Sequence, residues 1–294
     1  MKVPPRLTVP RPHVRKPVGD ELDVFGLTHP GLVRQDNQDH FLTCSLHKSV
    51  KIHQTSLPDL DAVPSLSERL AFLAMVADGV GGGFGGAEAS RTAVEAITLY
   101  VSRSMHAYYT ADATDDALFV DALSEAALQC HAEIVQRSNA DGNAGMATTL
   151  TLFLGVWPRA YLLQVGDSRF YLLRDGHLQQ ITSDQTVGQE LIDRGIISRS
   201  SPASQRWSHV LASALGGPHT SPVVTGIEED WGDVNLMCSD GLTRHVSDER
   251  IRERLLAMTS AKQVCEDLLQ DALDAGGRDN ITIIVGRSVR RDGV

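Results

Sequence analysis

The chain has 294 residues, 42% of them hydrophobic and 22% charged, with a formal charge of −10. That length supports one large domain or two small ones with a sizeable core, and the acidic balance excludes a general nucleic-acid or anionic-membrane binder. Cys44, Cys130, Cys238 and Cys265 are scattered with no Cys-x-x-Cys pair, which points to reduced, buried thiols and a cytoplasmic protein.

Residues 1–20 are basic and proline-rich and lack an apolar signal-peptide core, so they read as a flexible arm. Leu22 to Thr28 is expected to form a strand, stopped by His29-Pro30-Gly31, and His40 to Ser45 another. Residues 46–69 are polar, contain Pro58 and Pro64, and read as a surface insertion. Leu70 to Val76 is apolar without alternation, as a strand buried on both faces would be. It runs into Asp78-Gly79 and a glycine-rich turn that ends at Gly86. Ala89, Ala93, Ile97, Val101 and Met105 then recur at helical spacing. A second helix is expected after Thr114, a natural N-cap, and it carries Leu123, Cys130 and Ile134.

Four strands follow in a meander, over Ala147–Val156, Tyr161–Val165, Phe170–Leu173 and Leu178–Ile181. Gln185 to Gly195 reads as a short helix and residues 196–209 as irregular. A strand pair, Pro222–Ile227 and Val234–Cys238, precedes helices over 247–258 and 260–274, a final strand Ile281–Val285, and a basic tail, 289–294. Consecutive antiparallel strands without crossover helices exclude a doubly wound parallel sheet. They favour an α+β fold of two stacked sheets with helix pairs outside, in one domain over residues 21–288. No apolar run is long enough to span a bilayer.

Aspartates recur at strand ends beside glycine or asparagine: Asp78-Gly79, Asp240-Gly241 and Asp279-Asn280, with Asp39 at a strand start and Asp167 between two strands. Each alone is compatible with a turn hydrogen bond. Packed together, such carboxylates need cations or protons. An oxygen-only donor set without His or Cys selects Mg²⁺ or Mn²⁺ over zinc.

The stretches RQDNQD, DGVGG, GMATTL, VGDSRFYLL, SDGLT and GGRDNIT, in this order, resemble the metal-dependent serine/threonine protein phosphatases of type 2C, bacterial branch. The resemblance covers residues 22 to 287. It implies a four-layer α-β-β-α sandwich with a two-metal site at one end, holding Mn²⁺ or Mg²⁺. Asp78 would bridge both ions, with the Gly79 carbonyl contributing; Asp240 and Asp279 would hold one ion, and Asp39 would support the other through a water. Arg34 would fork onto the substrate phosphate. The implied reaction is in-line attack of a metal-activated water on phosphoserine or phosphothreonine in proteins, without a phosphoenzyme. Expected partners are phosphorylated proteins, Ser/Thr kinases or their targets, met by a monomer.

The chain departs from that pattern in several places. Gln38 stands where many relatives carry Glu, Val80 replaces a histidine found after Asp-Gly in some members, and Asp184-Gln185 replaces Asp-His. Arg244 stands where an aspartate would join Asp167 in a third, weaker metal site, and residues 186–208 match the mobile flap. Gly81, Gly83 and Gly86 satisfy a dinucleotide-type Gly pattern, but helix follows helix where that fingerprint needs a second parallel strand. The histidines, His209 among them, show no consistent catalytic context and read as surface or core residues. The alternative from another class is an inactive phosphatase-like scaffold. Asp39, Asp78, Asp240 and Asp279 argue against it, because such a domain has no use for clustered carboxylates.

Overall fold

The computed structural model describes residues 15–48, 68–81, 84–110, 116–140 and 145–290. The expected arm over 1–14, most of the insertion (49–67), the Thr114 cap and the end of the tail fall outside the described residues. In chain order the elements are β1 (Leu22–His29), β2 (Asp39–Lys48), β3 (Glu68–Val80), α1 (Phe84–Thr110), α2 (Asp116–Ala140), β4 (Ala147–Thr148), β5 (Leu150–Val156), β6 (Arg159–Val165) and β7 (Arg169–Arg174). There follow β8 (His177–Gln180), α3 (Val187–Asp193), α4 (Pro202–Trp207), β9 (Val223–Glu228), β10 (Val234–Cys238), α5 (Asp240–Thr243), α6 (Asp248–Leu256), α7 (Ala261–Asp274) and β11 (Ile281–Ser288).

The unbroken apolar run in β3 has a direct cause. Leu73, Met75 and Ala77 face α1 and α2, while Ala74 and Val76 face the other sheet. Both faces are covered, so no position is left for a polar residue. One sheet has the order β2-β3-β5-β6-β9, with β4 added on β3, and the other β1-β11-β10-β7-β8. Every pairing is antiparallel.

Three apolar layers join four structural ones. Ile97, Leu123 and Ile134 seal α1 and α2 onto the first sheet. Phe153, Phe170, Met237 and Ile284 fill the space between the sheets. Ile251, Leu255 and Leu268 seal α6 and α7 onto the second sheet. This is the α-β-β-α sandwich expected from the strand pattern. Cys130, Cys238 and Cys265 are buried, unpaired thiols, and Cys44 is half-buried. No helix among the described residues is long and apolar enough to cross a membrane.

Three local readings need correction. The stretch 196–209 is not irregular throughout, because α4 forms there, with Ser201 capping it and Pro202 in its first turn. Ala147 to Val156 is not one strand. It breaks at Thr149, whose N–H donates to the Asp78 carbonyl (2.9 Å) and whose hydroxyl accepts from the Asp78 N–H (3.1 Å). Residues 15–18, assigned to the arm, are tied to the body: Arg15 forks onto the buried Glu21, and Lys16 donates to the Leu70 carbonyl (3.2 Å).

Candidate metal centre and phosphate cleft

The antiparallel register of β2 and β3 sets Asp39 directly opposite Asp78 at one pole of the sandwich. Asp240 opens α5 at the end of β10, Asp279 precedes β11, and Asp167 lies in the turn from β6 to β7. These segments share one pole because strand ends from both sheets meet there. A cleft of about 800 Å³ results, walled by Asp78, Gly79, Asp167, Asp240 and Asp279, with Arg34 and Arg244 at its rim. Asp39 sits behind that wall, 3% exposed.

The support is specific. Ser239 and Thr282 donate hydroxyl hydrogen bonds to Asp39 Oδ2 at 2.8 and 2.7 Å, while Oδ1 is buried without a partner. Asn280 ties three segments together: its amide nitrogen donates to the carbonyls of Pro30 (3.0 Å) and Asp36 (2.9 Å), and its side-chain oxygen accepts from the Gln38 N–H (2.9 Å). Gly79 is required by close approach, since a Cβ there would lie 2.4 Å from the Gly86 carbonyl oxygen. Gln185 takes the Gly166 N–H (2.8 Å), bracing the turn that carries Asp167, and Asp184 is held in a fork by Arg169.

Burial and mutual repulsion raise the acidities' midpoints together. Desolvation, then the Asp39 charge, pushes the Asp78 carboxyl well above the carboxylate range. Burial lifts Asp39 to about 6 and Asp167 to about 8. Asp240 is also raised by burial, opposed by Arg244. Such a group of carboxyls keeps protons unless cations replace them.

Two arginines supply part of that positive charge. Arg34 forks onto Asp279 (2.9 and 3.1 Å), and Arg244 bridges Asp279 (2.9 Å) and Asp240. Among the described residues no three His, Cys, Asp or Glu side chains are drawn together tightly enough to grip an ion. The donor set nevertheless fits hard divalent cations: it is all oxygen, it carries excess negative charge, and Asp39 Oδ1 lacks a partner.

Sequence reasoning missed three contributors and half-read a fourth. Ser239, just past β10, and Thr282, in β11, carry ordinary hydroxyls, and only the pairing of distant segments reveals their bond to Asp39. His209, read as a surface or core residue, lines the cleft near enough to Asp240 to oppose the effect of burial on that carboxyl. Arg244 was visible as a departure, but not its double bridge.

A family model for protein phosphatase 2C matches residues 52–275. The chain belongs to that family. A serine/threonine phosphatase, stp, of Listeria monocytogenes is 31% identical over 222 residues, covering 75% of this chain and 84% of that protein. The serine/threonine protein phosphatase PstP of Mycobacterium tuberculosis is 43% identical over 148 residues, half of this chain, and the match spans only 29% of the length of PstP. The crystal structure of the Mycobacterium tuberculosis phosphatase superposes with a TM-score of 0.72 at 30% identity, covering 92% of this chain and 99% of that one. A PstP catalytic domain solved in complex with two manganese ions gives 0.69 at 31% identity, covering 92% and 99%. The type 2C family model stops before Asp279 and starts after Asp39, so the two ends of the cleft rest on the geometry above.

Proposed function

We propose that this protein phosphatase 2C member hydrolyses phosphoserine and phosphothreonine in proteins with the help of two bound divalent ions, Mn²⁺ or Mg²⁺, and reverses Ser/Thr kinase signalling. The observation that carries this reading is the meeting of Asp78, Asp167, Asp240, Asp279 and Arg34 on one cleft, with Asp39 directly behind it. The manganese complex of the PstP catalytic domain supports it.

Asp78, the Gly79 carbonyl, Asp240 and Asp279 would hold the ions. Ser239 and Thr282 fix one oxygen of Asp39, and its unpartnered Oδ1 would support the site from behind. When bound, such ions would supply charge screening for the phosphate and a lowered pKa for water. Arg34, more than half exposed and forked onto Asp279, would turn that planar fork to two phosphate oxygens once a cation takes the Asp279 carboxylate. No thiol nucleophile is involved, and burial pushes Cys130, Cys238 and Cys265 up to about 12, far from a reactive thiolate. Arg244 also faces Asp167, where its charge opposes a third cation.

The test is Mn²⁺-dependent release of phosphate from a phosphothreonine peptide. Asp78→Asn and Asp240→Asn should abolish it, with the fold preserved by circular dichroism. Wild-type protein inert across Mn²⁺ and Mg²⁺ would return the chain to the scaffold reading.

A further inference from the structure

Two guanidinium groups from unrelated segments meet on one carboxylate at the mouth of the cleft. Arg34 comes from the loop after β1 and donates to both oxygens of Asp279. Arg244 comes from the end of α5 and donates to Asp279 Oδ2 (2.9 Å) and to Asp240 Oδ2. The Asn280 N–H adds a fourth bond, to Asp279 Oδ1 (3.0 Å). The Asp279 side chain is 19% exposed, against 33% for Arg244 and 58% for Arg34. The carboxylate therefore lies deeper, and the two cations lie nearer the solvent from which a substrate arrives.

Backbone contacts hold both arginines in place. The Leu32 N–H donates to the Gly277 carbonyl (2.7 Å), which fastens the Arg34 loop to the segment that carries Asp279. On the other flank the Arg278 N–H donates to His245 Nε2 (3.2 Å), and His245 Nδ1 donates to the Gly241 carbonyl (2.9 Å), so the end of α5 is fastened to the same segment. The Arg244 N–H closes on the Asp240 carbonyl (2.9 Å). None of these bonds uses a guanidinium, so the side chains can change partners while their anchors stay fixed.

What the two guanidiniums grip is a planar anion with two acceptor oxygens, the pattern that a phosphate face also presents. Asp240 and Asp279 need positive charge because they share the pole with Asp39, Asp78 and Asp167. With divalent cations on those carboxylates, like charge would repel the guanidiniums from them. The five carboxylates, ionised together, still outweigh the charge of two divalent ions. A phosphate dianion would then meet a net negative cleft unless both arginines faced it.

We propose that Arg244 is a second phosphate-binding residue of this enzyme: it neutralises Asp240 and Asp279 until cations occupy the cleft, and then turns, together with Arg34, to the oxygens of the substrate phosphoryl group. The inference rests on the metal-dependent reading above and deepens it. One side chain then acts in opposite directions, competing with the cation for Asp240 and Asp279 in the empty cleft and holding the phosphate in the loaded one.

The probe is phenylphosphonate, an aryl phosphate analogue whose P–C bond resists hydrolysis, titrated calorimetrically into manganese-loaded protein. Mn²⁺ is titrated separately into metal-free protein. Arg244→Ala should weaken phenylphosphonate binding by about ten- to a hundredfold, the worth of a charge-assisted bidentate contact, while Mn²⁺ affinity holds or rises. Opposite signs exclude a merely structural role, because a damaged site loses both. Arg244→Lys, which keeps the charge and loses the fork, should fall between wild type and Arg244→Ala. If Arg244→Ala does not fold, Arg244→Gln is read in the same way. Unchanged phenylphosphonate binding in these variants would mean that the displaced side chain turns to Asp167, which it also faces, and overturns the proposal. A parallel loss of Mn²⁺ and phenylphosphonate affinity overturns it too. Wild-type protein that takes up no Mn²⁺ overturns the two-metal reading itself, and the proposal with it.

Discussion

Replacing Asp39 by asparagine separates two properties that the wild-type residue combines. Its Oδ2 takes two hydroxyl donors, its Oδ1 takes none, and burial raises its ionisation to about 6 from an ordinary 3.8. The folded state therefore keeps a proton that the unfolded chain has already released. With fewer protons on the unfolded state, stability falls as pH rises from about 4 to about 6 and stays lowered above that. A shift of about two pKa units corresponds to roughly 3 kcal/mol. An asparagine oxygen accepts the same two hydroxyl bonds and never ionises. Metal-free Asp39→Asn protein should thus melt about 6–12 °C above wild type near pH 7.5, at about 2–4 °C per kcal/mol for a chain of this size. The gap should close near pH 4. Adding Mn²⁺ should reverse the order, because the intact carboxylate binds the loaded site better and ligand binding adds to stability. Scanning calorimetry across pH, with and without metal, reads all of this. A metal-free variant that melts at or below wild type near pH 7.5, or a gap that persists near pH 4, would falsify the account.

The arginines lead to two further expectations. Arg244→Ala frees Asp240 and Asp279 from a bridging cation, so titration calorimetry should show Mn²⁺ binding about tenfold tighter; weaker binding would mean that Arg244 organises the site. Arg34→Ala should lower kcat/KM on a phosphopeptide about ten- to a hundredfold while Mn²⁺ affinity holds or improves; a matching loss of metal affinity would make Arg34 structural. With Val80 in place of a histidine after Asp-Gly, the cleft imidazoles are those of His209 and His219, and His209 is the one whose charge reaches Asp240, which places it to protonate a leaving oxygen. His209→Gln should slow alkyl phosphates by about a hundredfold and aryl phosphates little, and equal slowing would contradict that role. Gly241→Ala places a Cβ 1.9 Å from the Asn280 carbonyl oxygen; thermal melts should show a loss of about 1–3 kcal/mol.

The core was legible where one rule decided it. Leu70 to Val76 could be read as a doubly buried strand because no polar residue interrupts it, and the ends of most strands follow their turn residues. Asp78, Asp167, Asp240 and Asp279 were legible as a set because each stands next to glycine or asparagine at a strand end, and Asp39 because it opens a strand. What stayed hidden depends on three-dimensional pairing. That β11 lies between β1 and β10, and that Thr282 therefore meets Asp39, follows from sheet order, which no periodicity encodes. The helix α4 was missed because a six-residue helix has too few turns to show a period, although Ser201-Pro202 carries its start signal.

The place of β11 also bears on how the molecule comes into being. Its two neighbours, β1 and β10, are translated well before it, yet neither can pair across the gap until residues 281–288 leave the ribosome. Until then both present open edges and apolar faces, the kind of surface that chaperones shield. Asp279 and Thr282 emerge with that strand, so the carboxylate cluster and the hydroxyl support of Asp39 are completed together with the second sheet, and a chain cut before residue 279 lacks both.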